Sequence, residues 1–253
     1  MRSLKSLALL SLVLWGLGCE GGNGELVSRS RGGLQGFSIV ESAITLPVVV
    51  QESEQFAVTV TVDSNLQDLV EALVEGETLR IGWKRAVSRT TEGSVITVAM
   101  PQLRELRRSG SGSLKAAGML RTDDLVLTAD GSGKLAFEGP ARNVTLNDDG
   151  SGEVEVSTSA NTVSVKQSGS GSVALRGSAA TLTVASDGSG AVAAKELVAQ
   201  DATLVLSGSG SISATVNGGA VDVSIDGSGE VHVYGDAVVN LKHQSGNGSL
   251  HEY

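Results

Sequence analysis

The few side chains in this sequence that stand where they could do chemistry can each be weighed against what that chemistry requires. His232 with Tyr234, in Val231-His-Val-Tyr234, and His251 with Tyr253, in Leu250-His-Glu-Tyr253, occur 19 residues apart in the same phase of a repeat. Two outward imidazoles one strand spacing apart are the beginning of a metal site, but no third ligand accompanies them. His232 and His251 are therefore weak metal candidates, and no cofactor is expected. Glu153 and Glu155 are the acidic pair of one outward strand face. Hydrolysis or elimination on a polysaccharide needs clustered carboxylates or a basic group on one face, and the neighbouring repeats supply no second pair. No catalytic residue is assigned, and the chain reads as a non-enzyme.

A third constellation is the column Asp130, Asp149, Asp187 and Asp226, with Ser168, Ser207 and Ser245 interleaved. Calcium takes six to eight oxygen ligands from several converging carboxylates. From Asp149 onward there is one Asp in every second repeat, which is too few, so the column reads as a hydrogen-bonded turn ladder in which serine separates like charges and donates to them. The remaining reactive group is Cys19, the single cysteine. Arg2 and Lys5, an apolar run from Leu7 to Leu17 and the small Gly18 precede it, the pattern of a secretory signal peptide over 1–18 that is too short to span a bilayer. A lone cysteine there resembles the lipobox of bacterial lipoproteins, whose thiol is acylated and becomes the new N-terminus, and Glu20 after it points to the outer membrane. Residues 19–33, rich in Gly and Ser, read as the lipidated cysteine followed by a flexible tether.

The elements that must position these groups are set by one phrase: SGSG at 109, DGSG at 130 and 149, SGSG at 168, DGSG at 187, SGSG at 207, DGSG at 226 and SGNG at 245. The steps are 21, 19, 19, 19, 20, 19 and 19 residues. A fixed period with glycines in phase and alternating apolar runs between them predicts a β-solenoid of about 19–20 residues per coil. One run follows each phrase (Leu135 and Phe137, Val154 and Val156) and another precedes the next (Val144 and Leu146, Val163 and Val165), so each coil holds at least two strands. The paired glycines Gly131 and Gly133, Gly150 and Gly152, Gly169 and Gly171, Gly188 and Gly190, Gly208 and Gly210, and Gly227 and Gly229 mark a corner. They are expected there both because φ would be positive and because successive corners stack closely.

Residues 34–101 lack the phrase but alternate strongly, as in Phe56-Ala-Val-Thr-Val-Thr-Val62, and read as an N-terminal β region that caps the first coil of the repeats at 102–253. Leu66 to Val74 is open between a short helix and a further strand. Arg104, Arg107 and Arg108, at the junction, read as a solvated strand face. The expected architecture is one all-β solenoid domain over 34–253.

Composition limits partners. Losing Arg2 and Lys5 from 19 basic residues leaves 17 against 28 acidic ones, a net charge of −11. That excludes nucleic acid, which requires a basic surface. With Cys19 acylated or removed no disulfide can form, so stability must come from stacking. The expected partners are a membrane, through the lipid anchor, and an unknown protein or glycan. A homodimer through the C-terminal edge is a further expectation, because the sequence stops on a strand.

The order of Phe37-Ser-Ile39, Leu46-Pro-Val-Val-Val-Gln51, Val58 to Asp63, Asn65-Leu66, Gly76-Glu-Thr-Leu79-Arg-Ile81, Thr97-Val-Ala-Met-Pro101, Leu106 and the repeated GSG resembles the auto-transporter adhesin head "GIN" domain family, common in exported bacterial proteins. The resemblance covers about residues 34–253. It implies a right-handed single-stranded parallel β-helix with an N-terminal β portion, and no catalytic residues. It points to an adhesin-like or surface-presented binding solenoid at the outer membrane or cell surface, the alternative being a periplasmic accessory or sensor protein that contacts another envelope protein or peptidoglycan.

Overall fold

The computed structural model describes residues 20–118 and 122–253. The expected signal peptide at 1–18 and the acylated Cys19 lie outside the described residues. Chain order begins with β1 (Glu20–Gly21), β2 (Leu26–Ser30), β3 (Ile39–Ser42), β4 (Val48–Glu52) and β5 (Ala57–Asp63). A 3-10 helix at Ser64–Leu69 leads to β6 (Val70–Glu75), β7 (Thr78–Trp83), β8 (Val87–Arg89) and β9 (Val95–Met100), so the ambiguous stretch at 66–74 is helix first and strand after. The repeats follow as β10 (Glu105–Arg108), β11 (Ser113–Ala117), β12 (Thr122–Ala129), β13 (Lys134–Glu138), β14 (Ala141–Asp148), β15 (Glu153–Gln167), β16 (Ser172–Ser186), β17 (Ala191–Leu206), β18 (Ser211–Val216), β19 (Ala220–Gly227), β20 (Glu230–Tyr234), β21 (Val238–Gly246) and β22 (Ser249–Glu252).

Every pairing among β10 to β22 is parallel and joins residues one repeat apart, as in Leu125↔Val144, Val144↔Val163 and Val163↔Leu182. This is the expected solenoid. Alternation does the positioning: in β14, Val144, Leu146 and Asp148 point inward while Thr145 points out. The inward valines, leucines and isoleucines of all coils form one continuous apolar column, whose burial is the main stabilising term. Each coil covers its neighbour's open ladder, so stability is a sum over stacked interfaces.

The cap is built differently from the expectation that coils begin at 102. β3 and β4 already form a coil, with residues 43–47 in place of the glycine phrase. They pair in parallel with β10 and β11 on one side and with β7 and β9 on the other. β6 then pairs antiparallel with β7, and β5 antiparallel with β9. These reversals end the parallel ladders and close that edge against further pairing.

The expected tether at 19–33 is a second correction. β2 pairs antiparallel with β5 over Leu26↔Asp63 to Ser30↔Thr59, and β1 pairs in parallel with β8. The buried Asp63 carboxylate accepts hydrogen bonds from the amides of Gly24 (2.8 Å) and Thr91 (2.9 Å) and from the Thr91 hydroxyl (2.6 Å). The Gln67 side chain donates to the Val27 carbonyl, and Arg31 donates to the Gln67 carbonyl. Residues 20–31 are thus pinned to the cap by buried polar groups, despite a composition that suggests a leash.

The reason for the corner glycines is also corrected. Only Gly227 and Gly246, in the last two phrases, have positive φ. At the others the backbone would suit an L-residue, but a Cβ has nowhere to go. On either glycine of each phrase from 131 to 229 it would lie at 2.5 Å or closer to the carbonyl oxygen of the matching glycine one coil earlier. Close stacking, not backbone strain, demands glycine.

Candidate functional site

At the last two described coils, β20 and β22 set His232 opposite His251 in register. The imidazoles stack with centroids 4.9 Å apart and planes 15° apart, and Tyr234 stacks on Tyr253 at 4.7 Å and 13°. Tyr253 Oη lies 3.3 Å from His232 Nδ1, and His232 Nε2 lies 3.3 Å from Glu230 Oε2. One tautomer serves both contacts, with the phenol donating to Nδ1 and Nε2–H donating to the carboxylate. His251 Nε2 is 3.0 Å from Ser249 Oγ, and the Lys195 ammonium lies 4.3 Å from the Tyr234 ring centroid. Both ring nitrogens of His232 thus have a protein partner. Among the described residues no group of three His, Cys, Asp or Glu side chains is arranged to hold a metal ion. The pair that sequence spacing brings together is an imidazole–phenol stack capped by a cation–π contact.

The acidic pair has a partner from the preceding coil. Lys134, in register with Glu153, places its ammonium 3.3 Å from Glu153 and 2.8 Å from Glu155. The hydrogen bond from Lys134 holds the Glu155 carboxyl below its ordinary range. A general acid for glycoside cleavage needs the opposite displacement.

In the turn column, the Ser168 hydroxyl donates to Asp149 and the Ser245 hydroxyl donates to Asp226, each one coil away. Both carboxylates face solvent along the corner. A shallow recess of about 270 Å³ crosses three corners over Ser189, Ser209 and Ser228, floored by their glycines.

A further column lies inside the corner, at the residue before each phrase. It contains Arg108, Asp148, Gln167 and Ser186, all buried. Arg108, expected on a solvated face, is 1% exposed. It donates to the carbonyls of Gly110 (3.1 Å) and Gly131 (3.2 Å), reaching past the small Ala129. Asp148 accepts from the Gly150 amide at 3.2 Å and from Gln167 at 3.4 Å, and Gln167 donates to the Gly171 carbonyl at 3.0 Å. Burial pushes the Asp148 carboxyl above its ordinary range, against these hydrogen bonds and the Arg108 charge. The signal was available in the sequence, because Arg108 shares the inward phase of Leu106 and the register of Asp148. Of its neighbours, Arg107 pairs with Glu105 in a half-buried contact, and Arg104 pairs with Glu77 at the surface.

Comparison with known proteins gives one family: that described as "Putative auto-transporter adhesin, head GIN domain" matches residues 36–237. Similar solved structures include a "putative adhesin" from Parabacteroides merdae, with 22% identity, TM-score 0.84, and coverage of 92% of this chain and 98% of that one. Another is a "putative lipid binding protein" from Parabacteroides distasonis, with 24% identity, TM-score 0.84, and coverage of 93% and 100%. A "putative adhesin" from Bacteroides fragilis has 19% identity, TM-score 0.67, and coverage of 92% and 99%. These similarities establish a shared fold. Among curated proteins none matches the chain.

Proposed function

The chain belongs to the head GIN domain family, and from that premise we propose that it is an exported, lipid-anchored envelope protein whose solenoid acts by binding and spacing, as an adhesin-like surface module. The single observation that carries this reading is the family match across most of the chain. The geometry is in keeping with it: eight phrase-bearing coils stacked at about 4.8 Å make a rod some 34 Å long between first and last phrases. On the outward face Lys134 bridges the Glu153 and Glu155 carboxylates. The unidentified ligand is a protein or glycan of a neighbouring surface.

Protease shaving of intact cells, read with an antibody to the C-terminal repeats and with lysed cells as control, tests the placement. Loss of the repeats from intact cells is the expected result. Protection in intact cells with cleavage after lysis would retire the adhesin reading in favour of a periplasmic accessory protein.

A further inference from the structure

The segment that follows Cys19 is folded, and that has a geometric consequence for a lipid-anchored protein. Glu20 pairs with Val87 and Gly21 with Arg89, and the Gly22 amide donates to the Arg89 carbonyl at 2.9 Å. Consecutive Cα atoms are 3.8 Å apart, so an acyl group on Cys19 leaves the protein within one residue of the β1–β8 ribbon. That ribbon lies at the cap end of the rod, where β8 connects β7 to β9, on the far side of β3 and β4 from the repeats. Its β8 side, Lys84-Arg-Ala-Val-Ser-Arg89, has three basic residues and no acidic one in a chain with 28 acidic residues, and its β1 side carries Glu20. Lys84, Arg85 and Arg89 are exposed. Glu20 pairs with Arg85, and neither Lys84 nor Arg89 takes part in a salt bridge with any described acidic residue.

We propose that the β1–β8 ribbon is a membrane-contact face, with Lys84 and Arg89 set against anionic lipid head groups and the cap seated on the bilayer, so that the repeats stand away from it. The proposal rests on the lipid-anchored reading above and adds the orientation. Charge complementarity and the attachment point agree: basic residues beside an anionic surface attract it within a Debye length, and the anchor holds this ribbon at that range. A flexible tether of 14 residues would instead let the domain roam over about 20 Å.

Trp83 makes the test direct. Loss of Trp15 with the leader leaves Trp83 as the one tryptophan of the mature chain. It lies four residues before Val87, and its indole N–H donates to Thr45 Oγ at 3.0 Å, which fixes its position. The full lipidated protein, purified from membranes, is reconstituted into vesicles containing phosphatidylglycerol and a dansyl-labelled lipid, and energy transfer from Trp83 is measured. Two variants accompany it: a 15-residue Glu-Gly/Ser spacer inserted between Cys19 and Glu20, and the double substitution Lys84→Gln, Arg89→Gln. The expected result is strong transfer in the parent and a fall by about half or more with the spacer, whose mean reach is ~21 Å. A smaller fall is expected with the glutamines, reproduced in the parent by high salt. Vesicle flotation without a change in transfer in the spacer variant would overturn the docked orientation while leaving the anchor intact. A loss with the spacer but not with the glutamines would overturn the role given to the basic residues. An unacylated N-terminal peptide by mass spectrometry, with no flotation, would overturn the anchored reading and the orientation together.

Discussion

Gly171→Ala isolates the close stacking of coils from every other property of glycine. Its φ lies outside the left-handed region, so alanine incurs no backbone strain, and within a strand-like segment it would ordinarily be the better residue. Its Cβ, however, would fall 2.5 Å from the Gly152 carbonyl oxygen and 3.2 Å from Asp148 Oδ2. Real Cβ atoms keep at least 3.0 Å, so the corner must open by 0.5 Å. The Gly171 N–H to Gly150 O bond, already 3.3 Å, then exceeds hydrogen-bonding range, and the bonds from Ser172 N to Gly152 O (3.0 Å) and from Gln167 to Gly171 O (3.0 Å) stretch with it. Two to three such bonds at about 1 kcal/mol each give a loss of about 2–3 kcal/mol. Gly76→Ala is the control: φ is +60° with nothing within 4 Å of the added methyl, and left-handed backbone alone costs about 1 kcal/mol. Urea midpoints at constant m give both differences. If Gly171→Ala cost less than Gly76→Ala, the carbonyl contact would not be the reason for glycine at the corner.

Three further outcomes follow from named groups. Asp63→Ala removes the acceptor of three hydrogen bonds and should cost about 3 kcal/mol, with hydrogen exchange accelerating first in β1 and β2; unchanged protection there would refute the pinning. Burial acts to raise the Asp63 pKa, but the bonds from Thr91 and Gly24 outweigh it and hold it low; its stabilisation is therefore full above the unfolded carboxylate pKa and lost as pH falls through the folded one. Asp148 behaves oppositely: its raised folded pKa means the ionised form costs stability at neutral pH, and that cost fades as pH falls through the folded value. The stability of the parent relative to Asp148→Asn should rise between pH 7 and 4, and a flat or falling difference in denaturation midpoints would contradict the burial argument. Lys134→Met should move the Glu155 carboxyl upward toward its ordinary range by NMR titration, since the Lys134 hydrogen bond is the first cause of its depression.

The repeats were legible because a solenoid writes its geometry into the chain at fixed period: the phrase at 109 through 245 marks the corners, and equal phase alone placed His232 on His251 and Ser168 on Asp149. Three things escaped. The role of the corner glycines depends on where the neighbouring coil's carbonyl lies, which no residue within one coil reports. The charge of Arg108 suggests a solvated face, although its inward phase and the small Ala129 beside it make room for a buried guanidinium. The order at 20–31 comes from Asp63 and Gln67, tens of residues away, and Gly/Ser composition cannot show that its amides have acceptors waiting.

The position of β3 and β4 between two later pieces of chain bears on how the molecule folds. Ile39 pairs with Thr78, 39 residues on, and with Glu105, 66 residues on, whereas beyond Thr122 each pairing spans about one repeat, as Leu125 with Val144 does. Loop-closure entropy grows with span, and pairing at long separation is slow. Pairing within residues 39–117, which interleave out of chain order, therefore carries the largest closure cost, whereas each repeat beyond closes a loop of similar size on its neighbour. The length of the rod can vary by whole repeats without altering that cost.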